Sequence, residues 1–169
     1  MLHAEPHCLT LFRGVFVSEI ERIVDQMDRA FGGDAWHGPS LESLLEGVTA
    51  DQASKHPIPS AHSIWELVNH IASWNSIVGH RASGKRVDVS PEQDWPPVWE
   101  ATDVAWKRSL EHLRECRSRL RAAVKNLRED QLEEIAPGKD HSKYVMLHGA
   151  IQHDLYHAGQ IAVLKKAIR

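Results

Sequence analysis

Apolar residues Leu9, Phe12, Phe16, Ile20, Ile23, Val24, Met27 and Phe31 follow one another at three- and four-residue steps, the spacing of one face of an amphipathic helix. Gly32-Gly33 stops that helix. After a loop from Asp34, Ser40 caps a short helix through Leu41, Leu44 and Leu45, and Asp51 to Ser60, with Pro57 and Pro59, predicts an extended connector. Ser63-Ile-Trp-Glu66 has the form of a capping box and opens a second long helix on Ile64, Leu67, Val68, Ile71, Trp74 and Val78, which ends before Ser83-Gly84. Arg86 to Pro97 is too rich in proline for a helix interior. From Val98 or Trp99 to about Leu127 the pattern is helical again, with Val104, Leu110, Leu113, Leu120, Val124 and Leu127 as inner positions. A polar turn through Asp130, Pro137 and Gly138 leads to a last helix, about Ser142 to Ile168. No stretch alternates with period two for long enough to make a strand. The fold class is all-α: a four-helix bundle with long connectors after the first and second helices.

At 169 residues and 42% hydrophobic content, the chain reads as one domain, 1–169, able to bury a core without disulfides or a structural metal. The net charge of -3 carries no block of one sign, which argues against nucleic acid or a charged membrane surface as partner. The mixed charges from Arg114 to Glu129 read as a solvated helix face. Cys8 and Cys116 share no CxxC spacing, so neither a disulfide framework nor a thiolate metal site is indicated. The N-terminus lacks a basic segment followed by an apolar run, and no eighteen consecutive apolar residues occur. A cytoplasmic protein is expected. Of the twelve histidines, His37, His56 and His141 sit in loop-like sequence and His3 and His7 near a terminus.

The exceptions lie on helices. His153 and His157 stand four apart, so both imidazoles project from one face about a turn apart. This spacing supplies half of a typical divalent metal site. His70 falls on the edge of its own helix's apolar stripe, as the pair does on the stripe of Leu147, Ile151, Leu155, Ala158, Ile161 and Ala162. Where two stripes pack, their flanks meet at the rim of the core, and a three-histidine site from His70, His153 and His157 follows as a hypothesis. Histidines satisfied by ordinary hydrogen bonds are the competing reading. His148 lies about half a turn from His153 and faces elsewhere. Asp154 is placed to bond His157 locally, and Gln160, on the ligand face, to support it from behind. Tyr156 is expected on an outer or inter-subunit surface, and Gly159 to mark close approach of another backbone.

His-Asp-Leu-Tyr-His-Ala-Gly-Gln-Ile at 153–161, Ser-Ile-Trp-Glu-Leu-Val-Asn-His-Ile at 63–71 and Trp-His-Gly-Pro-Ser at 36–40 together resemble the DinB/YfiT-like superfamily. The resemblance implies a four-helix bundle holding a divalent ion on three histidines, which map onto His70, His153 and His157. It also implies a homodimer formed through helix faces. Some similar proteins are metal-dependent transferases or isomerases that use a low-molecular-weight thiol, and many have no established activity. Two readings follow: a thiol S-transferase, or a related hydrolase, acting on a small electrophile, and a non-catalytic metal-binding bundle associated with stress. The superfamily's name implies no contact with DNA. In the first reading the ion favours thiolate over thiol at neutral pH, and with no cysteine of the chain so placed, the thiol is a cosubstrate. Zinc is the expected ion, and nickel, iron, copper or manganese are compatible alternatives. Trp36, Trp74, Trp95 and Trp99 are candidates for selectivity or for packing alike.

Overall fold

The computed structural model describes residues 17–168. Four long helices carry the fold: α1 (Glu19–Phe31), α4 (Ile64–Ala82), α6 (Asp103–Lys125) and α7 (Lys143–Ala167). Between them lie three short ones, α2 (Leu41–Leu45), α3 (Ala50–Ser54) and α5 (Pro91–Asp94), and a 3₁₀ turn at Glu129–Leu132. No strand occurs among the described residues; Ile135 and Ser142 form an isolated bridge in the turn before α7. The chain is all-α, as expected, and no described helix is long and apolar enough to cross a membrane.

The helix starts follow from local capping. Ser18, Thr49, Ser63 and Ser90 each accept from the amide three residues on, whose Glu or Gln side chain reaches back to the cap. That exchange satisfies orphan N–H groups at the first turn. The α1 cap moves the expected start of the first helix from Leu9 to Glu19, since Ser18 is extended and closes the turn there. Leu9, Phe12 and Phe16 lie outside the described residues. The stretch from Asp51 contains α3, so it is not wholly extended. The proline-rich connector contains α5, because Pro91 occupies the first helical position, where its missing N–H costs nothing. The third long helix starts at Asp103, later than expected, and Val104 is exposed.

Two apolar clusters fill the bundle. One joins Trp65, Leu67, Ile71, Leu113 and Ile161 to Leu41 and Leu45 of α2, and the other joins Ile23 and Met27 of α1 to Leu120, Val124 and Leu147. Between them runs a polar layer. The carboxylate of Asp154 on α7 accepts from Arg117 Nη1 of α6 at 3.0 Å and from Asn75 Nδ2 of α4 at 3.1 Å, while Arg117 Nη2 donates to the Met27 carbonyl of α1. All four long helices are thus tied at one level. Helices α4 and α6 approach closely at Gly79, where an added Cβ would stand 3.3 Å from Leu120 Cα. Gly159 has no such neighbour: nothing lies within 4 Å of a Cβ built there, so the close approach expected at 159 belongs to Gly79. With the bundle fixed this way, the flanks of α4 and α7 face each other above the polar layer.

Candidate metal centre

The three histidines expected to converge do so. His70 comes from the second turn of α4, and His153 and His157 from successive turns of α7. His153 Nε2 is 2.9 Å from His70 Nε2 and 3.1 Å from His157 Nε2. The three donor atoms lie within 4.8 Å of one another. Tetrahedral zinc bonds of ~2.0–2.1 Å would set such nitrogens about 3.4 Å apart, so the two close pairs, at 2.9 and 3.1 Å, need to open by only about half an ångström or less.

Each outer ring is pinned through its other nitrogen. His70 Nδ1 faces the Asp94 backbone carbonyl at 2.6 Å. A carbonyl can only accept, so the proton of His70 sits on Nδ1 and its Nε2 presents a lone pair. His157 Nδ1 is 2.6 Å from Gln160 Oε1, which sets the same tautomer there. Two lone pairs therefore point at His153 Nε2, which can donate at most one proton between them. In the metal-free state at least one aimed lone pair is left without a donor, and a cation at the centre accepts all three. The donor set thus fits a divalent ion, with the outer hydrogen bonds fixing tautomer and ring orientation.

Electrostatics agree with that assignment. Burial, and then the neighbouring His157 and His70, push His153 down to about 3. Burial also lowers His70 and His157. All three imidazoles are neutral near pH 7, the form that ligates metal.

With the geometry in place, comparison with known proteins decides the family. The sequence model of the DinB superfamily matches residues 35–161, a span that includes all three histidines. The chain belongs to the DinB superfamily. A crystal structure described as the conserved protein of locus from Enterococcus faecalis is similar at a TM-score of 0.66 and 17% identity, covering 90% of this chain and 98% of that one. At that identity the likeness speaks for the fold. No curated protein matches the chain.

Around this DinB centre the structure adds features that spacing alone did not reveal. The Trp95 ring stacks on His70 with centroids 3.8 Å apart, and His62 stacks on the other face of Trp95 at 3.6 Å. Trp74 donates its indole N–H to Asp94 Oδ1 at 2.8 Å. Helix α5 is therefore the device that closes one side of the centre, holding both the Asp94 carbonyl and Trp95. Its signal in the sequence was Ser90-Pro-Glu-Gln93, a capping box with proline at the first helical position. Two of the four candidate tryptophans stand at the centre, whereas Trp36 and Trp99 are exposed, and Trp36 lines a different groove beside Asp25 and Arg29. Asp154 does not bond His157; it turns inward to Arg117. His148 points to Glu19, 3.8 Å away, and Tyr156 is largely exposed.

On its open side the centre gives onto a cleft of about 520 Å³. Its walls are largely apolar, from Trp74 and Val78 on α4 and Val145, Met146 and Ala150 on α7.

Proposed function

We propose that His70, His153 and His157 hold a divalent metal ion through Nε2, and that this DinB protein is a metal-dependent S-transferase joining a low-molecular-weight thiol to a small electrophile. The observation that carries the proposal is the convergence of Nε2 lone pairs whose rings are locked from behind by Asp94 and Gln160. Metal binding is general in the superfamily, and zinc is the expected ion; nickel and iron are alternatives that imidazole ligation also suits, and manganese is one that it suits less well. When bound, such an ion supplies Lewis acidity and an exchangeable position where a thiol loses its proton at neutral pH. The protein's own part is to keep three imidazoles neutral, leave one side of the centre open, and shield the rest with Trp95 and Trp74.

Among the described residues no thiol is placed to serve, so the thiol is taken to be a cosubstrate. Cys116, the free thiol among the described residues, is buried on α6 beside His112, and burial raises its pKa, which disfavours thiolate. The apolar cleft beside the centre offers room for thiol and electrophile together. We place the protein in the cytoplasm, where low-molecular-weight thiols are kept reduced, and as a homodimer, which light scattering at twice the 19.1 kDa chain mass would test.

Elemental analysis of protein purified without a histidine tag is the first test, and about one divalent ion per chain is expected, falling away in His153→Ala. A screen of thiols against small electrophiles then reads the chemistry. Turnover that His153→Ala abolishes supports the transferase. Bound metal with no turnover for any thiol or hydrolytic substrate leaves a metal-binding bundle. Absence of metal, with a melting temperature unmoved by chelator, removes the proposal.

A further inference from the structure

The cleft beside the histidines has a second end with a charge that no carboxylate of the described residues meets in an ion pair. Arg81, in the last turn of α4, is 3% exposed and lines this cleft. Its Nη2 donates to the Val87 carbonyl at 2.8 Å, and its Nε is buried with no hydrogen-bond partner. Among the described residues no carboxylate lies within ion-pair distance of it. Asp88, close enough to act on it through space, is mostly exposed and pairs with Arg86 at 3.1 Å. The contrast is with Arg117, the other buried arginine among the described residues, whose charge is met by Asp154 at 3.0 Å. A buried guanidinium without a carboxylate is costly, and a polar group left unpaired in a cleft is a common sign that a ligand completes it.

The position of Arg81 relative to the centre is also informative. Eleven residues at about 100° each return Arg81 to within roughly 20° of the face that carries His70. A helical side chain leans toward the N-terminal end, and the guanidinium carbon indeed reaches back to 5.9 Å from the Trp74 ring centre. The Trp74 ring is in turn 5.8 Å from the His153 ring. Those two steps set an upper limit of about 12 Å between the guanidinium and the His153 ring. The cleft is walled mostly by apolar side chains; Lys139 and His141 add basic groups, and the carboxylates of Asp94 and Asp154 that also line it are held by Trp74 and Arg117.

We infer that Arg81 is a binding residue for the acid group of an anionic small molecule, a carboxylate in its simplest form, whose apolar middle lies along Trp74 and Val78 and whose far end meets the three histidines. The inference deepens the proposed function, because it gives the thiol or its electrophile a class: an organic acid with the reacting atom at the opposite end of a short chain. Guanidinium geometry suits a two-pronged carboxylate contact, in which Nε and an Nη donate side by side. The competing role for Arg81 is structural, as a positive charge at a helix C-terminus that also clamps Val87.

Binding to straight-chain probes separates these roles. In titration calorimetry of the zinc-loaded protein, ω-mercaptooctanoate is expected to bind at least tenfold more tightly than ω-mercaptooctanol. Arg81→Met removes that preference while leaving the alcohol's affinity unchanged, and Arg81→Lys keeps part of it. Equal binding of acid and alcohol by the wild type overturns the inference, as does a preference that survives Arg81→Met. Should Arg81→Met fail to fold, Arg81→Lys replaces it: a reduced preference supports the contact and an unreduced one overturns it. Octanoate and octanol titrated into chelated protein isolate the anion site from the metal. If the metal reading is wrong, the Arg81-dependent preference for octanoate persists and the thiol adds no affinity. If the metal reading is right and this inference wrong, both mercaptans bind equally and cobalt-substituted protein shows sulfur-to-metal absorption with each.

Discussion

Gln160 touches no other histidine of the centre, yet its amide oxygen decides which nitrogen of His157 carries the proton. Replacing it with alanine leaves His157 free to tautomerise and rotate, so metal affinity is expected to fall 10–100-fold. Competition against a chromophoric chelator measures this, and unchanged affinity would show that the ring is held some other way. Asp154, one residue after a proposed ligand, behaves differently. It is 2% exposed and neutralises Arg117 inside the bundle. Asp154→Asn leaves the Arg117 charge buried without compensation, and urea denaturation should register a loss on the order of 3–5 kcal/mol. The two residues illustrate what residue spacing conveys. Gln160 was legible because it shares the helical face of His153. Asp154 was misread as a local partner of His157 because its true partners come from α4 and α6, far away in sequence. The Asp94 carbonyl was out of reach altogether, since a backbone acceptor has no residue type to betray it.

At the scale of elements, two glycines of the long helices, Gly79 and Gly159, make opposite demands. Gly159 is exposed on α7 with open space where a Cβ would go. Gly159→Ala should therefore collect the helix-propensity gain alone, about 0.8–1 kcal/mol of added stability. Gly79 is where α4 meets the backbone of Leu120. A branched side chain there must push two helices apart, so Gly79→Val is expected to lower the thermal midpoint clearly while Gly159→Ala raises it. Equal effects at both positions would contradict the packing. The same elements show why the long helices were readable and the short ones were not. Apolar residues at three- and four-residue steps persist over many turns in α4, α6 and α7, whereas α3 and α5 are single turns whose capping boxes, Thr49 to Gln52 and Ser90 to Gln93, are their whole signal. In α1 the apolar periodicity carries no mark of the Ser18 cap, which starts the helix at Glu19.

For the whole molecule, the centre links stability to acidity. His70, His153 and His157 all have folded-state values below that of a free imidazole, His153 at about 3. A group depressed on folding binds its proton more readily in the unfolded chain, so stability from it is complete above the unfolded value and drains away as pH falls toward the folded one. For the metal-free protein this loss starts near pH 6.5, the value of an unperturbed histidine, and for His153 continues to about 3. Asp154 acts with the opposite sign. Burial raises it to about 6 against the pull of Arg117 and Asn75, so it favours the folded state as pH drops through that value. The chelated protein should therefore lose stability as pH falls from 6.5 toward 6 in urea titrations followed by circular dichroism, and the loss should slow below about 6, where folded Asp154 takes up its proton. Replacing His153 with a residue that does not titrate, as in His153→Gln, is expected to flatten that slope, because the most depressed of the three groups is gone. A bound ion adds a second dependence, since protons compete with it for the same nitrogens. The metal-loaded protein should accordingly be more stable than the chelated one at pH 7.5, and the gap should narrow only as pH falls through the depressed folded-state values of the three histidines, closing toward the value of about 3 at His153. Curves that stay parallel over that range would mean that the stabilising ion binds somewhere other than the three histidines.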